Sequence, residues 1–373
     1  MDTGGHVTWE MGSVHPRLPI LSEAIDRYPA GFSGDPLHLL FLNDAERIER
    51  PWEFLRQLDA PFLMDERRQY VLGSLGFWPF PSFDLTARPD PWLVSQRLFE
   101  RFDEAGRFLK TQRSIGRIIE SRVKEHEPDI VALVIADGLS YYDLPDGSGA
   151  EPCLVDGASI TEVGYRQVIG SPEVSRLLFA AGYRTQVGFT YYPPDPDSFA
   201  AQILSQFADS QTIKVRTFEE ILAHLSRVHL GRSFIQIAMP GLDHLCHAHH
   251  DEPPRDHYLR EVLARFNRLV DRLAKKRRRV LAFLTADHGI LWREYIEGKV
   301  EVVGDLFPED ARHARYVRGH FVRGYGRCCT NFGQHYTLLR VPCMTRNLRS
   351  NEWGVHGGIS AWESIVPLLT KLA

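Results

Sequence analysis

Four short apolar runs after residue 128 predict buried β-strands. The runs cover residues 130–136, 185–189, 234–238 and 280–284. A continuous apolar run is typical of a strand that is covered on both faces of a parallel sheet. Stretches with apolar positions at helical spacing separate the runs, at about 161–181, 217–229 and 257–276. This alternation predicts an α/β sheet with helices on both faces.

The chain before residue 128 has a different character and predicts a separate N-terminal region, residues 1–127. Residues 1–75 are irregular and rich in proline and charge, with short helical pieces such as 37–58. Apolar positions recur at helical spacing over 92–126, which predicts a helix that Pro128 ends. We expect this mainly helical region to serve assembly. Residues 128–373 form the second predicted domain, which a helix over 361–372 closes.

The composition is that of a globular protein without a strong overall charge. Of 373 residues, 43% are hydrophobic and 25% are charged, and the formal charge is −4. Whole-protein attraction to nucleic acid or to an anionic membrane is therefore not implied, and anion binding requires a local patch. No apolar run reaches the ~20 residues of a membrane span, so we expect no membrane association.

The cysteines and the N-terminal sequence predict a cytoplasmic protein. There are five cysteines, of which Cys328 and Cys329 are adjacent, and no CxxC pair exists. This pattern argues against a disulfide framework and against a structural zinc site of thiolates. The N-terminal sequence also lacks the charged start and apolar core of a signal peptide.

Aspartate and histidine side chains follow the predicted strands. Ligands of α/β sheets bind outside the carboxyl ends of the strands, so these side chains should meet at one edge. The set is Asp137, Asp243, His247, Asp287, His288 and His356.

This concentration of carboxylates and imidazoles indicates a metal centre. Divalent cations offset the repulsion among the carboxylates. The two ligand types together suit Zn²⁺, Mn²⁺ or Fe, and a metal pair suits phosphoryl chemistry. Taken alone, Asp137 before Gly138 could be a turn residue, and His356 could lie in a plain turn. The joint occurrence of the six side chains in this order favours the metal interpretation.

Two hydroxyl residues, Ser159 and Thr161, lie where the helix after the first strand should begin. Either hydroxyl could be an ordinary helix N-cap. The same position faces a site suited to phosphate, and a cation there would activate the hydroxyl as a nucleophile. The residues alone leave both interpretations open.

The order Asp-Gly, Ser-x-Thr, Asp-x-x-x-His, Asp-His-Gly and His-Gly-Gly over residues 128–373 resembles the alkaline phosphatase superfamily of two-metal hydrolases. Ser159-Ile160-Thr161 and the runs 314–318 and 355–360 most resemble its PglZ domain branch. That branch is known from bacterial anti-phage (BREX) systems and some response regulators. The resemblance implies a mixed, mostly parallel sheet between helices.

The resemblance also implies roles for individual residues. Thr161 would be the nucleophile. Independently of the resemblance, we expect Ser159 to cap the helix and to bind substrate. The cofactors would be two divalent metal ions, Zn²⁺ in the first place and Mn²⁺ as the alternative. One metal would be held by Asp137, Thr161, Asp287 and His288, and the other by Asp243, His247 and His356.

Departures from the superfamily pattern narrow the expected activity. Ala158 stands before Ser159, where the superfamily often has proline. Cys153 is followed by Leu-Val-Asp, which disfavours the sulfatases and their Cys-x-Pro-x-Arg signature. The interval from Thr161 to Asp243 is too short for the extra domain of cofactor-independent phosphoglycerate mutases.

Residues 311–349 contain eight arginines and no aspartate, glutamate or lysine. The planar guanidinium matches phosphate oxygens, and the interleaved aromatic residues are typical of proteins that bind single-stranded nucleic acid. A solvated face is the ordinary alternative. We expect Arg315 and Arg318 to bind substrate.

Together these features predict a two-metal phosphodiesterase or phosphohydrolase in an anti-phage or signalling context. Its substrates would be nucleotides or oligonucleotides, with single-stranded nucleic acid and cyclic nucleotides as candidates. The alternative is a metal-binding scaffold without turnover that docks protein partners of a defence complex. Turnover of a generic phosphodiester with and without metals separates the two.

Overall fold

The computed structural model describes residues 88–100, 102–169, 173–191, 211–227, 231–246, 251–275, 278–321 and 324–373. The predicted helical pieces within 1–75 lie outside these residues. The chain divides into two compact units, Met1–Lys110 and Thr111–Ala373. The sequence placed the domain boundary after residue 127, whereas the second unit already begins at Thr111.

The described helices are distributed over both units, with two in the first. In chain order they are α1 (Pro91–Glu100), α2 (Phe102–Phe108), α3 (Ile115–His126), α4 (Thr161–Ile169), α5 (Glu173–Ala180), α6 (Phe218–Arg227), α7 (Arg255–Leu273), α8 (Arg293–Ile296) and α9 (Ala361–Ser364). Helices α6 and α7 confirm the predictions over 217–229 and 257–276. The prediction over 161–181 is covered by two helices, α4 and α5.

The single helix predicted over 92–126 is wrong, because the chain leaves the helical conformation near Thr111. Thr111 forms a parallel β-bridge with Leu154. The Ser114 hydroxyl donates to the Thr111 carbonyl at 2.7 Å and accepts from the Thr111 N–H at 3.3 Å. Such local side-chain bonds compete with the helical ladder, so α3 begins only at Ile115.

The described strands all belong to the second unit. In chain order they are β1 (Ile130–Ala136), β2 (Glu151–Leu154), β3 (Thr185–Thr190), β4 (Gln211–Lys214), β5 (Ser233–Met239), β6 (Val280–Ala286), β7 (Leu291–Trp292), β8 (Glu301–Val302), β9 (Tyr316–Arg318), β10 (Gly326–Asn331), β11 (Gln334–Leu339), β12 (Cys343–Met344), β13 (Gly354–Val355) and β14 (Ile365–Leu372). The four strands predicted from the apolar runs are confirmed as β1, β3, β5 and β6.

Seven of these strands form the main sheet, in the order β2-β14-β6-β1-β5-β3-β4. The pairs from β6 to β4 are parallel, and β14 runs antiparallel between β2 and β6. Among the described residues, α4 and α5 precede β3, α6 connects β4 to β5, and α7 connects β5 to β6. The predicted fold class, a mixed and mostly parallel sheet with helices, is therefore confirmed.

The three central strands β5, β1 and β6 are buried along their whole length. Their register pairs Ala136 with Met239 on one side and with Ala286 on the other. The three strands therefore end at the same height. This alignment brings the residues that follow each strand to one edge of the sheet.

The helix predicted over 361–372 is wrong for most of its length. Helix α9 ends at Ser364, and Ile365–Leu372 forms β14. Pro367 cannot continue a helix, and the β-branched Ile365 and Val366 favour a strand. The first half of β14 pairs with β2 and the second half with β6.

The arginine-rich segment folds into a small antiparallel sheet with the order β10-β11-β9. An apolar cluster packs against it, formed by Val303, Phe307, Val317, Leu339 and Cys343. The segment is therefore a folded part of the second unit with its own core.

Arg315 is fully buried, which contradicts its expected role in substrate binding. Its guanidinium pairs with the equally buried Glu363, with Nη2 and Oε2 2.8 Å apart. It also donates to the carbonyl oxygens of Leu339, Arg340 and Cys343. Because the guanidinium is satisfied inside the protein, Arg315 is a structural residue.

Glu363 extends this buried pair to the loop that carries His356. Its carboxylate accepts from the Gly358 N–H at 2.9 Å and from the Ser360 hydroxyl at 2.6 Å. The pair of Arg315 and Glu363 thus joins the small sheet, helix α9 and the His356 loop.

We predict that Arg315→Met lowers the free energy of unfolding by about 3–5 kcal/mol, because it leaves the Glu363 carboxylate buried without its partner. Urea unfolding measures the change. Arg122→Ala is the control, since it removes an exposed ion pair with Glu125 and should cost less than about 1 kcal/mol. Losses of equal size in the two variants would contradict the assigned role of Arg315.

Candidate metal centre

The structure brings five of the six side chains singled out in the sequence to the carboxyl edge of β1, β5 and β6. They form two groups, and within each group the potential ligand atoms all lie within 4.8 Å of one another. The groups are Asp137 with Asp287 and His288, and Asp243 with His288 and His356. The sixth, His247, lies outside the described residues.

Both histidines direct Nδ1 at a backbone carbonyl. His288 Nδ1 lies 3.0 Å from the Gly289 carbonyl oxygen, and His356 Nδ1 lies 3.1 Å from that of Ser159. A carbonyl oxygen only accepts, so Nδ1 carries the proton and donates it. The Nε2 atom of each neutral ring then presents a lone pair. Metal-binding histidines in proteins are oriented in this way.

The two Nε2 atoms face carboxylate oxygens. His288 Nε2 lies 3.6 Å from Asp137 Oδ1 and 3.5 Å from Asp287 Oδ2, and His356 Nε2 lies 3.4 Å from Asp243 Oδ1. Lone pairs directed at negative oxygens repel one another unless a cation lies between them. Among the described residues, the buried Asp287 Oδ2 has no hydrogen-bond partner.

A divalent cation fits this arrangement better than protonated imidazoles do. Burial lowers the pKa of His356, and the neighbouring His288 lowers it further. The two rings are stacked with centroids 4.1 Å apart, a geometry that a pair of imidazolium ions would resist. Mixed carboxylate and imidazole ligands suit Zn²⁺ or Mn²⁺.

Backbone N–H groups fix one oxygen of Asp287. Oδ1 accepts from the N–H of Gly138 at 3.1 Å and from that of His288 at 3.0 Å. Burial nevertheless raises the pKa of Asp287 from 3.8 to about 7. The protein therefore fixes the position of the carboxyl group but supplies too little positive charge to stabilise its ionised form.

Gly138 allows the loop after β5 to fold closely onto the end of β1. Its φ is 69°, and a Cβ atom there would lie 2.8 Å from the Asp243 backbone nitrogen. The Asp137 carbonyl accepts from the N–H groups of Leu242 and Asp243 at 2.8 and 3.2 Å. These contacts bring Asp243 beside Asp137.

Gly164 determines how close Thr161 comes to the histidines. A Cβ atom on Gly164 would lie 1.9 Å from the Asp287 carbonyl oxygen, so the backbone of α4 packs directly against the end of β6. Thr161 is the first residue of α4, and its Oγ1 lies 3.1 Å from His288 Nε2. The structure therefore brings the expected nucleophile to the candidate metal centre.

Ser159 neither caps α4 nor reaches the site through its side chain, which corrects both expectations. The residue is fully buried, and its hydroxyl donates to the Gly358 carbonyl at 2.9 Å. The side chain faces the interior because the chain runs beneath the His356 loop here. The contribution of Ser159 is its carbonyl, which orients the His356 ring.

Of the two arginines expected to bind substrate, Arg318 remains a candidate. It is exposed at the end of β9. The Tyr316 ring packs against Gly357, which follows His356, because a Cβ atom on Gly357 would lie 2.4 Å from Tyr316 Cδ1. Arg318 follows Tyr316 by two positions and therefore lies on the same face of β9. The His313 ring stacks on Tyr316 with centroids 4.2 Å apart.

Several other arginines of the segment bind within the protein. Arg312 donates to the Phe307 carbonyl, and Arg346 pairs with Glu352 at 2.6 Å. Arg340 lies over the ring of Tyr325, and Arg323 is outside the described residues. Several arginines of the segment therefore stabilise the fold through contacts within the protein.

Two residues that support the centre were not predicted from the sequence. The fully buried Gln112 donates from Nε2 to the carbonyl oxygens of Ala286 and Asp287, at 2.8 and 2.7 Å. No local pattern marks a glutamine so distant in sequence from β6. Glu363 could have been found, because Ser360 and Glu363 have the spacing of a capping box.

No described helix is long and apolar enough to cross a membrane.

Comparisons with known proteins give weak similarities in structure. No family model matches the chain, and no curated protein matches it significantly. An inactive variant of murine ectonucleotide pyrophosphatase/phosphodiesterase 5 in complex with AMP has a TM-score of 0.41 and 11% identity, over 65% of this chain and 87% of that chain. Phosphonoacetate hydrolase from Sinorhizobium meliloti 1021, in complex with phosphonoformate, has a TM-score of 0.41 and 11% identity, over 65% and 89%.

A third similar structure is a protein of the alkaline phosphatase superfamily from Vibrio parahaemolyticus. Its TM-score is 0.31 and its identity 12%, over 59% of this chain and 62% of that chain. Similarities this low do not decide the function, which has to be inferred from the site itself. The resemblance to the PglZ branch stays a prediction.

We predict that Gly164→Ala destabilises the protein by about 1–3 kcal/mol, because the added methyl group collides with the backbone of Asp287. Urea unfolding measures the loss. Gly231→Ala is the matched control, since no atom lies within 4 Å of a Cβ atom there. Similar unfolding of the two variants would show that α4 is not packed against β6 as described.

The raised pKa of Asp287 predicts how the stability of metal-free protein depends on pH. The folded state holds this proton more tightly than the unfolded chain, whose value is 3.8. Its contribution to stability is therefore complete below about pH 4 and is lost as the pH rises through about 7. In protein treated with a chelator, the thermal midpoint should therefore fall between about pH 4 and about pH 7 and level off above that, and Asp287→Asn should reduce this fall. An equally steep fall in the variant would rule out Asp287 as its source.

Proposed function

We propose that the protein is a metal-dependent phosphoric ester hydrolase that acts on phosphodiesters. One observation carries the proposal: two oriented imidazoles direct their lone pairs at carboxylates. One of them, His288, lies within hydrogen-bond distance of the Thr161 hydroxyl at a helix N-terminus. Divalent cations would neutralise the negative charge of these carboxylates. The hydroxyl supplies the nucleophile that phosphoryl transfer needs.

The residues present fit two divalent cations. Asp137, Thr161, Asp287 and His288 would hold one, and Asp243, His247 and His356 would hold the other. Zn²⁺ suits this mixture of imidazole and carboxylate, and Mn²⁺ is the alternative. When bound, the cations supply Lewis-acid activation and neutralise negative charge at the phosphoryl group.

Thr161 is proposed as the nucleophile. Its Oγ1 attacks phosphorus in line, the bond from phosphorus to the leaving oxygen breaks, and a phosphothreonine forms. Water then hydrolyses this ester and restores the hydroxyl. Thr161 begins a nine-residue helix, and the free N–H groups and dipole of the first turn favour the negative phosphoryl group.

The proposed substrates are nucleotides or oligonucleotides. Arg318 is exposed beside the candidate centre, where its guanidinium can bind a phosphate next to the one that is cleaved. The resemblance of the motifs to the PglZ branch supports an anti-phage or signalling context as part of the same proposal.

Replacement of Thr161 tests the proposal. We predict that Thr161→Ala lowers turnover of bis-p-nitrophenyl phosphate by at least about 1,000-fold, because the nucleophile is removed, while the fold is retained. Ser159→Ala is the control: it should keep turnover and lose about 1 kcal/mol of stability with the hydrogen bond to Gly358. Turnover that survives Thr161→Ala would exclude Thr161 as the nucleophile. An absence of turnover by the native chain with metal supplied would instead support the scaffold alternative.

A further inference from the structure

Phe332 occupies an unusual position at the tip of the hairpin between β10 and β11. The two-residue turn is Phe332-Gly333, with φ values of 50° and 82°. Positive φ at both positions defines a type I′ turn, in which asparagine followed by glycine is strongly preferred. Phenylalanine is poorly suited to this backbone conformation. The turn itself therefore does not account for an aromatic ring at this position.

The Phe332 ring is available to a ligand on one side. Phe332 is 49% exposed, although the large apolar residues nearby in the small sheet are buried. The guanidinium of Arg166 lies over the ring, 5.0 Å from its centroid. Arg166 thus supports the ring from one side.

The hairpin is fixed beside the proposed nucleophile. Asn331 Oδ1 accepts from the Ala158 N–H, and its Nδ2 donates to the Asp156 carbonyl, each at 3.1 Å. These bonds attach the tip to the loop that leads into Thr161. Arg166 follows Thr161 by five positions, or about 7.5 Å along the helix axis.

The sheet face between the tip and the candidate centre carries groups that suit a nucleotide. Cys329, Tyr336 and Arg318 are paired across the three strands, so their side chains form one row. Burial raises the pKa of Tyr336, Glu162 raises it further, and Arg318 lowers it. Tyr336 is buried, so the exposed Arg318 is the charged group of this row that a ligand could meet.

We propose that Phe332 is a stacking platform for the base of a nucleotide whose phosphate lies at Thr161. The proposal deepens the proposed function and relies on it for the position of the phosphate. Stacking on an exposed aromatic ring is tolerant of base identity, since every base has a flat face. The platform would therefore select nucleotides over other phosphate esters without selecting a sequence.

Equilibrium binding tests the platform without requiring turnover. AMP and ribose 5-phosphate carry the same phosphate and differ in the base. Their affinities are measured by calorimetry with Zn²⁺ supplied, using the full chain with Thr161→Ala so that neither ligand is consumed. We expect AMP to bind at least about five-fold more tightly than ribose 5-phosphate, and we expect Phe332→Asn to abolish this difference.

Two features make the variant informative. Asparagine adopts the left-handed conformation readily, so Phe332→Asn should fold with an unchanged or higher thermal midpoint. Phe179→Asn is the matched control, because Phe179 is 50% exposed and has the Arg184 guanidinium 5.6 Å from its ring centroid. Phe179 lies on α5 before β3 begins, at the edge opposite the metal centre, and its replacement should leave the preference for AMP intact.

The possible outcomes distinguish failure of the stacking proposal from failure of the proposed hydrolase activity. Equal affinity for both ligands, binding of neither, a preference that survives Phe332→Asn, or an equal loss with Phe179→Asn would each overturn the platform. If the preference is present and requires Phe332 while the native chain cleaves no phosphodiester, the platform stands and the hydrolase proposal fails.

Discussion

Acceptor atoms that repel one another are held close together at the carboxyl ends of three parallel strands. The Nε2 atoms of His288 and His356 lie 3.4–3.6 Å from carboxylate oxygens, and Asp287 is buried beside them. Such an arrangement is unfavourable unless cations occupy it, because burial weakens the screening of like charges. The fold must therefore supply the free energy that holds these groups together in the absence of metal.

Each layer of the structure contributes to that task. The register of β5, β1 and β6 ends the three strands at the same height. Close backbone contacts at Gly138 and Gly164 bring the Asp243 loop and helix α4 against the strand ends. The buried pair of Arg315 and Glu363 joins the small sheet to the His356 loop, so the second histidine is held by contacts on both sides. A rigid edge that holds repelling groups together is typical of a preorganised site. In such a site, folding supplies the free energy that brings the groups together before the ligand binds.

The parts of the fold that sequence could predict are those that local patterns determine. The buried strands follow from continuous apolar runs, and the convergence of aspartate and histidine follows from the strand ends. Arg315 was misjudged because its role depends on Glu363, which is distant in sequence, and a charge pattern does not show whether a guanidinium is paired. Ser159 was misjudged because a hydroxyl before a helix resembles a cap even when its side chain faces the core. Strand β14 could have been predicted from the sequence, since Pro367 is a local signal against a helix.

A calorimetric titration of chelator-treated protein with Zn²⁺ shows whether these atoms bind metal. If the acceptor atoms at the strand ends are metal ligands, two equivalents of Zn²⁺ should bind per chain, and His356→Ala should remove one of them while the protein stays folded. Saturable binding that is unchanged by His356→Ala, or no binding at all, would contradict the account.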